Sequence, residues 1–387
     1  MESLEELRHH LHKHPETAYK EFETAKTLKA YLVNAGYSEE QFVNVAISGF
    51  YVDVVGTGAP SDSPRCIALR TDMDALKMDE TNPTLPYVSV NHGAAHACGH
   101  DGHMASLIGT AIRIKQQEHL IPSNSRVRLL FQPAEEGENG AVKMIEDGCL
   151  NGVDEIYGVH NMPYQTLGDF YCPDETIMAS FTSMTIRIRG RGAHGAYPEK
   201  AQDVVLAMAN MLTSLATITG RAISCHESAV FTLCKIEAGS ASNVMPDLAS
   251  MTGTLRTFKA EVKEVILGRI NTIITSIAAA FEVTAELEIL RSSPATVNSK
   301  EHAGYVREAV ADCFGQDHVI NDVPSSASED YAYYLKEVPG AFIFAYSGSP
   351  GALHVSNYNF EDKLIPYIGK VYMRILSKRL GVELSFC

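Results

Sequence analysis

The sequence has no apolar run long enough to cross a membrane and too few basic residues to attract a polyanion. A membrane-spanning helix needs roughly 18 consecutive apolar residues, and no stretch approaches that length. Lysine and arginine number 32 against 47 aspartates and glutamates, which gives a net charge of −15. Nucleic acids and anionic membranes both attract clustered positive charge. We therefore expect neither as a partner.

Cysteine is sparse and follows no disulfide pattern. The eight cysteines are scattered along 387 residues, without the dense, regular spacing of a secreted disulfide scaffold. The opening residues, MESLEELRHH, are charged and helical in pattern, unlike a secretory signal. We therefore expect reduced thiols and a cytoplasmic protein.

The first 175 residues alternate strand and helix patterns. Short apolar strands are expected at Val52–Val55, Cys66–Leu69, Val127–Phe131 and Ile156–Val159, with a helix near Met104–Gln117. Strands that alternate with helices need crossover connections, which produce a mostly parallel sheet with helices on both faces. Functional groups in such α/β folds collect at the carboxyl ends of the strands.

A different pattern runs from residue 179 to residue 292. Its order is β-α-β-β-α-β, the ferredoxin-like arrangement of an antiparallel sheet with two helices on one face. Its last strand alternates apolar Val283, Ala285, Leu287 and Ile289 with polar residues. Strand and helix signals return afterwards, so we predict a large α/β domain in two parts, 1–178 and 293–387, with a satellite domain, 179–292, inserted into it.

Metal-ligating residue types occur where strands are expected to end. Cys98 and His100 flank a glycine in a stretch rich in histidine, and three further sites follow strands. The candidates in these four places are Cys98, His100, Glu135, Glu136, His160 and His354. Cysteine, histidine and carboxylate are the ligand types of catalytic metal sites. Taken singly, each has an ordinary alternative: a buried thiol, a core histidine or a solvated acidic turn.

The number of candidates favours two metals over one. A mononuclear catalytic zinc usually takes three protein ligands, whereas five ligands fit a pair of ions roughly 3.5–4 Å apart. The sixth candidate, Glu135, then remains free to act as general base on a water between them.

Nine short motifs resemble one enzyme family, and the similarity extends from about residue 7 to residue 362. They are His12–Glu16, Arg70–Leu76, Cys98–His103, Phe131–Gly137, Val159–His160, Gly192–Ala196, Asn243–Pro246, Gly253–Arg256 and Ser328–Asp330. Together they resemble the amidohydrolase branch of the aminoacylase/carboxypeptidase metallopeptidases. Its members include hippurate hydrolases, N-acyl-amino-acid amidohydrolases and plant indole-acetyl-amino-acid hydrolases.

The resemblance implies roles for ten residues of this chain. The implied metal ligands are Cys98, His100, Glu136, His160 and His354, and Glu135 is the implied base. Asp74 is expected to support the metal site, and His194 to approach the developing oxyanion, often across a dimer. Asn243 and Arg256 match positions that hold the substrate carboxylate. The implied cofactor is a pair of divalent ions, Mn²⁺ or Zn²⁺ before Co²⁺ or Ni²⁺, and the satellite domain is expected to form a homodimer.

The expected reaction is metal-dependent hydrolysis of the amide bond of N-acyl or N-aroyl amino acids, with small molecules as substrates. Two alternatives stay open: a dipeptidase or carboxypeptidase with the same chemistry, and a non-catalytic metal-binding relative. Lys77 and Glu199 depart from the family pattern, where proline and histidine are usual. Neither position is an expected ligand, so they bear on substrate preference.

Overall fold

The structure, a computed structural model, describes residues 3–386 and divides them into two compact units. The first unit comprises the chain up to Glu175, Val297–Val323, and the chain from Asp330 onwards. The second comprises Thr176–Thr296 and Pro324–Glu329. The division into compact units does not test which segments fold as domains. The predicted domain limits therefore stay a prediction: 1–178, 179–292 and 293–387.

Helices and strands alternate through most of the described residues. The helices are α1 (Leu4–Lys13), α2 (Phe22–Asn34), α3 (His100–Gln116), α4 (Glu135–Glu138), α5 (Gly140–Glu146), α6 (Val204–Leu215), α7 (Ile218–Arg221), α8 (Ala260–Ala280), α9 (Lys300–Phe314), α10 (Ala332–Glu337) and α11 (Leu364–Leu380). The strands are β1 (Val43–Val45), β2 (Gly49–Val55), β3 (Cys66–Asp72), β4 (Arg126–Gln132), β5 (Glu155–Met162), β6 (Phe170–Tyr171), β7 (Thr176–Met178), β8 (Ser180–Arg189), β9 (Ala193–His194), β10 (Ala229–Ala238), β11 (Val244–Met245), β12 (Leu248–Thr257), β13 (Thr284–Ser293), β14 (Thr296–Val297) and β15 (Gly340–Tyr346).

The first unit is built on a seven-stranded sheet with a parallel centre. Its strand order is β1-β2-β4-β3-β5-β15-β6. The four central strands, β4, β3, β5 and β15, pair in parallel, and the outer pairings are antiparallel. Every residue of β3 and of β15 is buried, as expected for strands covered on both faces. The predicted α/β fold with a parallel-rich sheet is confirmed.

The carboxyl ends of the four parallel strands meet at one edge of this sheet. β3 ends at Asp72, β4 at Gln132, β5 at Met162 and β15 at Tyr346. Helix α3, which follows the β3 strand and its loop, is buried along most of its length and packs against α1 and α11. The loops at this edge are therefore fixed on a rigid, fully packed base.

The second unit contains a four-stranded antiparallel sheet in the order β10-β12-β8-β13. In chain order β8, α6, β10, β12, α8 and β13 follow the predicted β-α-β-β-α-β pattern. Met184, Ile186 and Ile188 of β8 are fully buried in a core with residues of α6 and α8. The apolar face of the sheet is thus covered by the two helices, which confirms the predicted satellite architecture.

Two details of this unit differ from the sequence-based expectation. Ile289 was expected to face the core, but 44% of it is exposed. Ile289 pairs with the buried Met184 and so lies on the core face, but β13 is an edge strand and its pairing with β8 shifts just beyond Ile289, between Ile289 and Arg291. In the last turns of α8 the apolar spacing predicts a stripe through Ile273 and Ile277, but the buried stripe continues through Ile274 and Ala278 instead.

Residues 3–386 bear on two expectations drawn from the whole sequence, one about membrane-spanning helices and one about reduced thiols. Among these residues, no helix combines the length and hydropathy needed to cross a bilayer. The seven cysteines in this range are free thiols.

Candidate metal centre

Cys98 and His100 are brought together by a tight turn at the start of α3. Gly99 between them has φ of +92°, in the left-handed region. A Cβ atom at this position would lie 2.2 Å from Oδ1 of Asn161. Both the backbone angle and the close approach therefore require glycine here.

Glu135 and Glu136 lie on a second turn, just beyond the end of β4. Ala134, before them, has φ of +57°, and Glu136 itself has non-helical backbone angles. The fully buried carboxylate of Asp74 accepts the backbone N–H of Glu135 at 3.0 Å and that of Glu136 at 2.9 Å. Asp74 thus orients two consecutive acidic residues through their main chain.

The tautomers of two histidines follow from their hydrogen bonds. Nδ1 of His160 lies 2.7 Å from the carbonyl oxygen of Asn161, and Nδ1 of His100 lies 2.8 Å from that of Asp74. A carbonyl oxygen can only accept, so Nδ1 carries the proton in both rings. The Nε2 atoms keep their lone pairs, which is the form that binds a metal.

His354 reaches the same place from the loop after β15. Its φ is +60°, and its backbone N–H donates to the carbonyl of Ala97 at 2.8 Å. Its Nε2 lies 3.2 Å from Sγ of Cys98 and 3.4 Å from Oε1 of Glu136. The loop backbone is therefore tied directly to the turn that carries Cys98.

The donor atoms form two triads that share one sulfur. Cys98, His100 and His160 make one triad, and Cys98, Glu136 and His354 make the other, each with its donor atoms within 4.8 Å of one another. Sγ of Cys98 is also only 3.3 Å from Nε2 of His160. Two ligands bonded tetrahedrally to one zinc-sized ion lie roughly 3.3–3.8 Å apart.

The site also has polar atoms without a hydrogen-bond partner. Nε2 of His100 and Oε1 of Glu136 are buried and accept no hydrogen bond. Buried polar atoms are normally satisfied, so these two mark a missing partner. The donor types, their spacing and these two atoms fit a pair of divalent ions with Cys98 between them.

The charges of the site also favour a cation. Burial, together with the nearby Glu136 carboxylate, raises the pKa of the Cys98 thiol, so a thiolate here needs positive charge beside it. The hydrogen bond of His354 to Cys98 and the nearby Glu136 carboxylate raise its pKa to about 10, because the two acids stabilise the imidazolium form. Burial lowers the pKa of His160, which keeps that ring neutral.

A buried ionic layer beneath the site was missed by the sequence reasoning. Asp72, at the end of β3, accepts from Nδ1 of His103 and from Arg70, each at 2.8 Å, and lies 3.8 Å from Nε2 of His100. Arg70 also contacts Asp330 at 3.2 Å. The available signal was the pair Asp72 and Asp74, two charged residues following an apolar strand.

The remaining predicted site residues belong to the second unit. His194 on β9 pairs with Val244 on β11, and the backbone N–H of Gly195 donates to the carbonyl of Asn243 at 2.8 Å. The structure therefore brings His194 and Asn243 together.

Arg256 lies on β12 in the same unit. Its guanidinium stacks 4.4 Å from the ring centre of Phe181 and donates to Oγ of Ser328 at 3.2 Å. Burial lowers the pKa of this guanidinium, although it stays charged at neutral pH.

Sequence comparison decides the family. The profile of peptidase family M20/M25/M40 matches residues 68–378, which is most of the chain and includes all five predicted ligands. The chain belongs to the M20/M25/M40 peptidase family. Its amidohydrolase relatives confirm the predicted branch, and they identify this M20 protein as a hydrolytic enzyme that acts on amides.

Three relatives illustrate the similarity. The M20 chain is 38% identical over 339 residues to N-acetyl-L-cysteine deacetylase of Bacillus subtilis, covering 87% of this chain and 79% of that protein. It is 34% identical over 380 residues to hippurate hydrolase of Campylobacter jejuni, covering 97% and 96%. A solved structure of a dinuclear metal-binding M20 peptidase from Bacillus subtilis matches with a TM-score of 0.85 and 29% identity, covering 98% and 97%.

Replacement of Asp74 by alanine tests how the site is supported. The variant leaves the N–H groups of Glu135 and Glu136 without their acceptor, so the ligand carboxylate loses its orientation. We expect the affinity for Zn²⁺ to fall about 10- to 100-fold, the usual effect of removing a group that orients metal ligands. Competition with a chromophoric chelator measures this. Asp62→Ala, at an exposed position, is the control, and equal affinities in the two variants would contradict the prediction.

Proposed function

We propose that the protein hydrolyses the amide bond of N-acyl or N-aroyl amino acids, releasing a carboxylic acid and a free amino acid. The observation that carries this proposal is the position of Glu135. Its carboxylate lies within 4.8 Å of donor atoms of His100 and Glu136, yet the two triads that share Cys98 do not need it as a ligand. The deacetylase and hippurate hydrolase relatives, which are named for such substrates, support the choice of substrate class.

The proposed cofactor is a pair of divalent ions held by the two triads. Cys98, His100 and His160 would hold one ion, and Cys98, Glu136 and His354 the other. Mn²⁺ or Zn²⁺ is the proposed metal, with Co²⁺ and Ni²⁺ as substitutes, because thiolate, imidazole and carboxylate ligands suit all four. When bound, the ions would lower the pKa of a water molecule and polarise the acyl carbonyl.

Glu135 then moves the protons of the reaction. It accepts a proton from the attacking water as the C–O bond forms, and it returns the proton to the amide nitrogen as the C–N bond breaks. Asp74 accepts the backbone N–H of Glu135. This contact holds the main chain of Glu135, and with it the side chain, beside the proposed metal ligands. A general base held in this way acts on a positioned water at no cost in reorganisation.

Three residues of the second unit complete the proposal. His194 is the proposed donor to the oxyanion that develops on the acyl oxygen. Asn243 and Arg256 are the proposed partners of the substrate carboxylate. Arg256 is suited to this because its stacking on Phe181 holds a charged, forked donor in one orientation.

The test is turnover of a substrate panel with and without metal. N-acetyl, N-benzoyl, N-indoleacetyl and fatty-acyl amino acids, together with dipeptides, are assayed with chelated enzyme before and after addition of Mn²⁺, Zn²⁺ or Co²⁺. We expect metal to restore release of the amino acid from one acyl class. Glu135→Gln should lower kcat about 10²- to 10⁴-fold, the usual contribution of a general base, with metal content unchanged.

Glu138→Gln is the matched control, because Glu138 lies on the same turn but is exposed. Its kcat should equal that of the parent. Turnover of dipeptides alone would replace the proposal with a peptidase. Metal binding with no turnover of any compound would contradict catalysis and favour the non-catalytic alternative.

We also infer a homodimer formed through the second unit. Strand β10 is an edge of the four-stranded sheet, and Val230 and Ile236 on it are 43% and 47% exposed. An exposed apolar edge strand readily pairs with a second copy of the same strand. Sedimentation velocity should give twice the 42.2 kDa chain mass, and Val230→Lys with Ile236→Lys should give monomers. Val323→Lys, at a 77% exposed position of the first unit, is the control; a monomeric parent would contradict the dimer.

We propose that the protein acts in the cytoplasm. The free thiols of the seven described cysteines support it, because a reducing compartment keeps such thiols unpaired. Cys98 in particular has to stay reduced to act as a ligand.

A further inference from the structure

A buried carboxyl group from the N-terminal segment contacts the turn that carries Glu135 and Glu136. Glu21 lies between α1 and α2, and its side chain is fully buried. Its Oε1 accepts the backbone N–H of Ala134 at 2.9 Å, and its Oε2 accepts the hydroxyl of Ser48 at 2.5 Å. The M20 roles proposed above do not use this residue.

The contact holds the turn at its most strained residue. Ala134 has φ of +57° and ψ of +39°, a left-handed conformation that L residues with a Cβ atom adopt at a cost. Such a conformation persists only where the surroundings impose it. Here Glu21 holds the N–H of Ala134, and the carbonyl of Ala134 accepts the N–H of Gly140 at 2.9 Å.

Two carboxyl groups together fix three consecutive amides. Glu21 takes the N–H of Ala134, and Asp74 takes those of Glu135 and Glu136 at 3.0 and 2.9 Å. Glu21 thus sets the peptide plane between Pro133 and Ala134, and Asp74 sets the two planes on either side of Glu135. Loss of either acceptor leaves a buried N–H unsatisfied, which the turn can relieve only by rotating its peptides.

We propose that Glu21 is a positioning residue that aims Glu135 at the substrate water and Glu136 at the metal. It acts through the main chain of Ala134 and touches neither substrate nor ion. The proposal rests on the proposed function for the role of Glu135, whereas its consequence for Glu136 concerns metal binding alone.

An acceptor oxygen, rather than a negative charge, is what the turn needs from this position. Burial raises the pKa of Glu21 to about 7, so the charged form is costly in this environment. Both the neutral and the charged carboxyl present an oxygen to Ala134. Glutamine has the same shape, with one oxygen for Ala134 and an amide that can donate to Ser48.

The experiment compares Glu21→Ala, Glu21→Gln and a matched control, Glu16→Ala. Glu16 lies in the same segment and its carboxylate accepts the backbone N–H of Thr24 at 2.8 Å, away from the turn. For each variant we would measure Zn²⁺ affinity by chelator competition, kcat and KM at saturating metal, and Tm.

The expected results separate positioning from stability. Glu21→Ala should lower kcat about 10- to 100-fold and weaken Zn²⁺ binding about 10-fold, with KM within about threefold of the parent value. Glu21→Gln should retain kcat and metal affinity within about threefold. Glu16→Ala should lower Tm but leave kcat and metal affinity unchanged. The hydrogen bonds that this substitution removes are those of the Glu16 side chain to the first turn of α2.

Several outcomes would overturn the proposal. One is Glu21→Ala with kcat and metal affinity within twofold of the parent and only a lower Tm. Another is a Glu21→Gln variant whose kcat and Zn²⁺ affinity fall as far as those of Glu21→Ala. If Glu21→Ala fails to fold, Ser48→Ala decides, since it removes the hydroxyl that holds Glu21: a three- to tenfold loss of kcat supports the proposal, and no loss contradicts it. If the parent turns over no substrate, the proposed function fails, and the metal affinities still decide the role of Glu21.

Discussion

The buried pair of acids at the centre of the site is the constraint on which the rest depends. Cys98 and Glu136 lie side by side in a largely buried site, where burial and the Glu136 carboxylate disfavour the thiolate form of Cys98. Donor atoms of the two residues lie within 4.8 Å of each other, and two anions buried this close need positive charge beside them. Histidines supply that charge in part, and divalent ions supply it fully while also bringing chemistry to the site.

The α/β sheet makes this convergence possible. Its parallel strands β3, β4, β5 and β15 end at one edge, so residues from four distant parts of the chain meet there. Three of the five proposed ligands are oriented by main-chain carbonyls: those of Asp74 and Asn161 fix two histidine rings, and that of Ala97 fixes the loop of His354. The donors are therefore arranged before any ion binds, which reduces the ordering cost of metal binding.

The proposed ligands could be recognised in the sequence because they lie in short motifs or loops at predictable strand ends. Residue type and local spacing are enough to recognise Cys98 with His100, or Glu135 with Glu136. Glu21 could not be found in this way, since it contacts Ala134 across 113 positions and a single glutamate has no local signature of burial. The exposure of Ile289 could not be predicted either, because the edge position of β13 and the bulge just beyond Ile289 depend on how the strands pair.

The direct test of the shared thiolate is Co²⁺ titration of the metal-free protein followed by absorption spectroscopy. The account predicts two ions per chain and a thiolate-to-cobalt charge-transfer band in the near ultraviolet that grows with both equivalents. Cys98→Ser should lose this band. A single ion per chain, or a band that saturates at one equivalent, would contradict a centre in which Cys98 joins two metals.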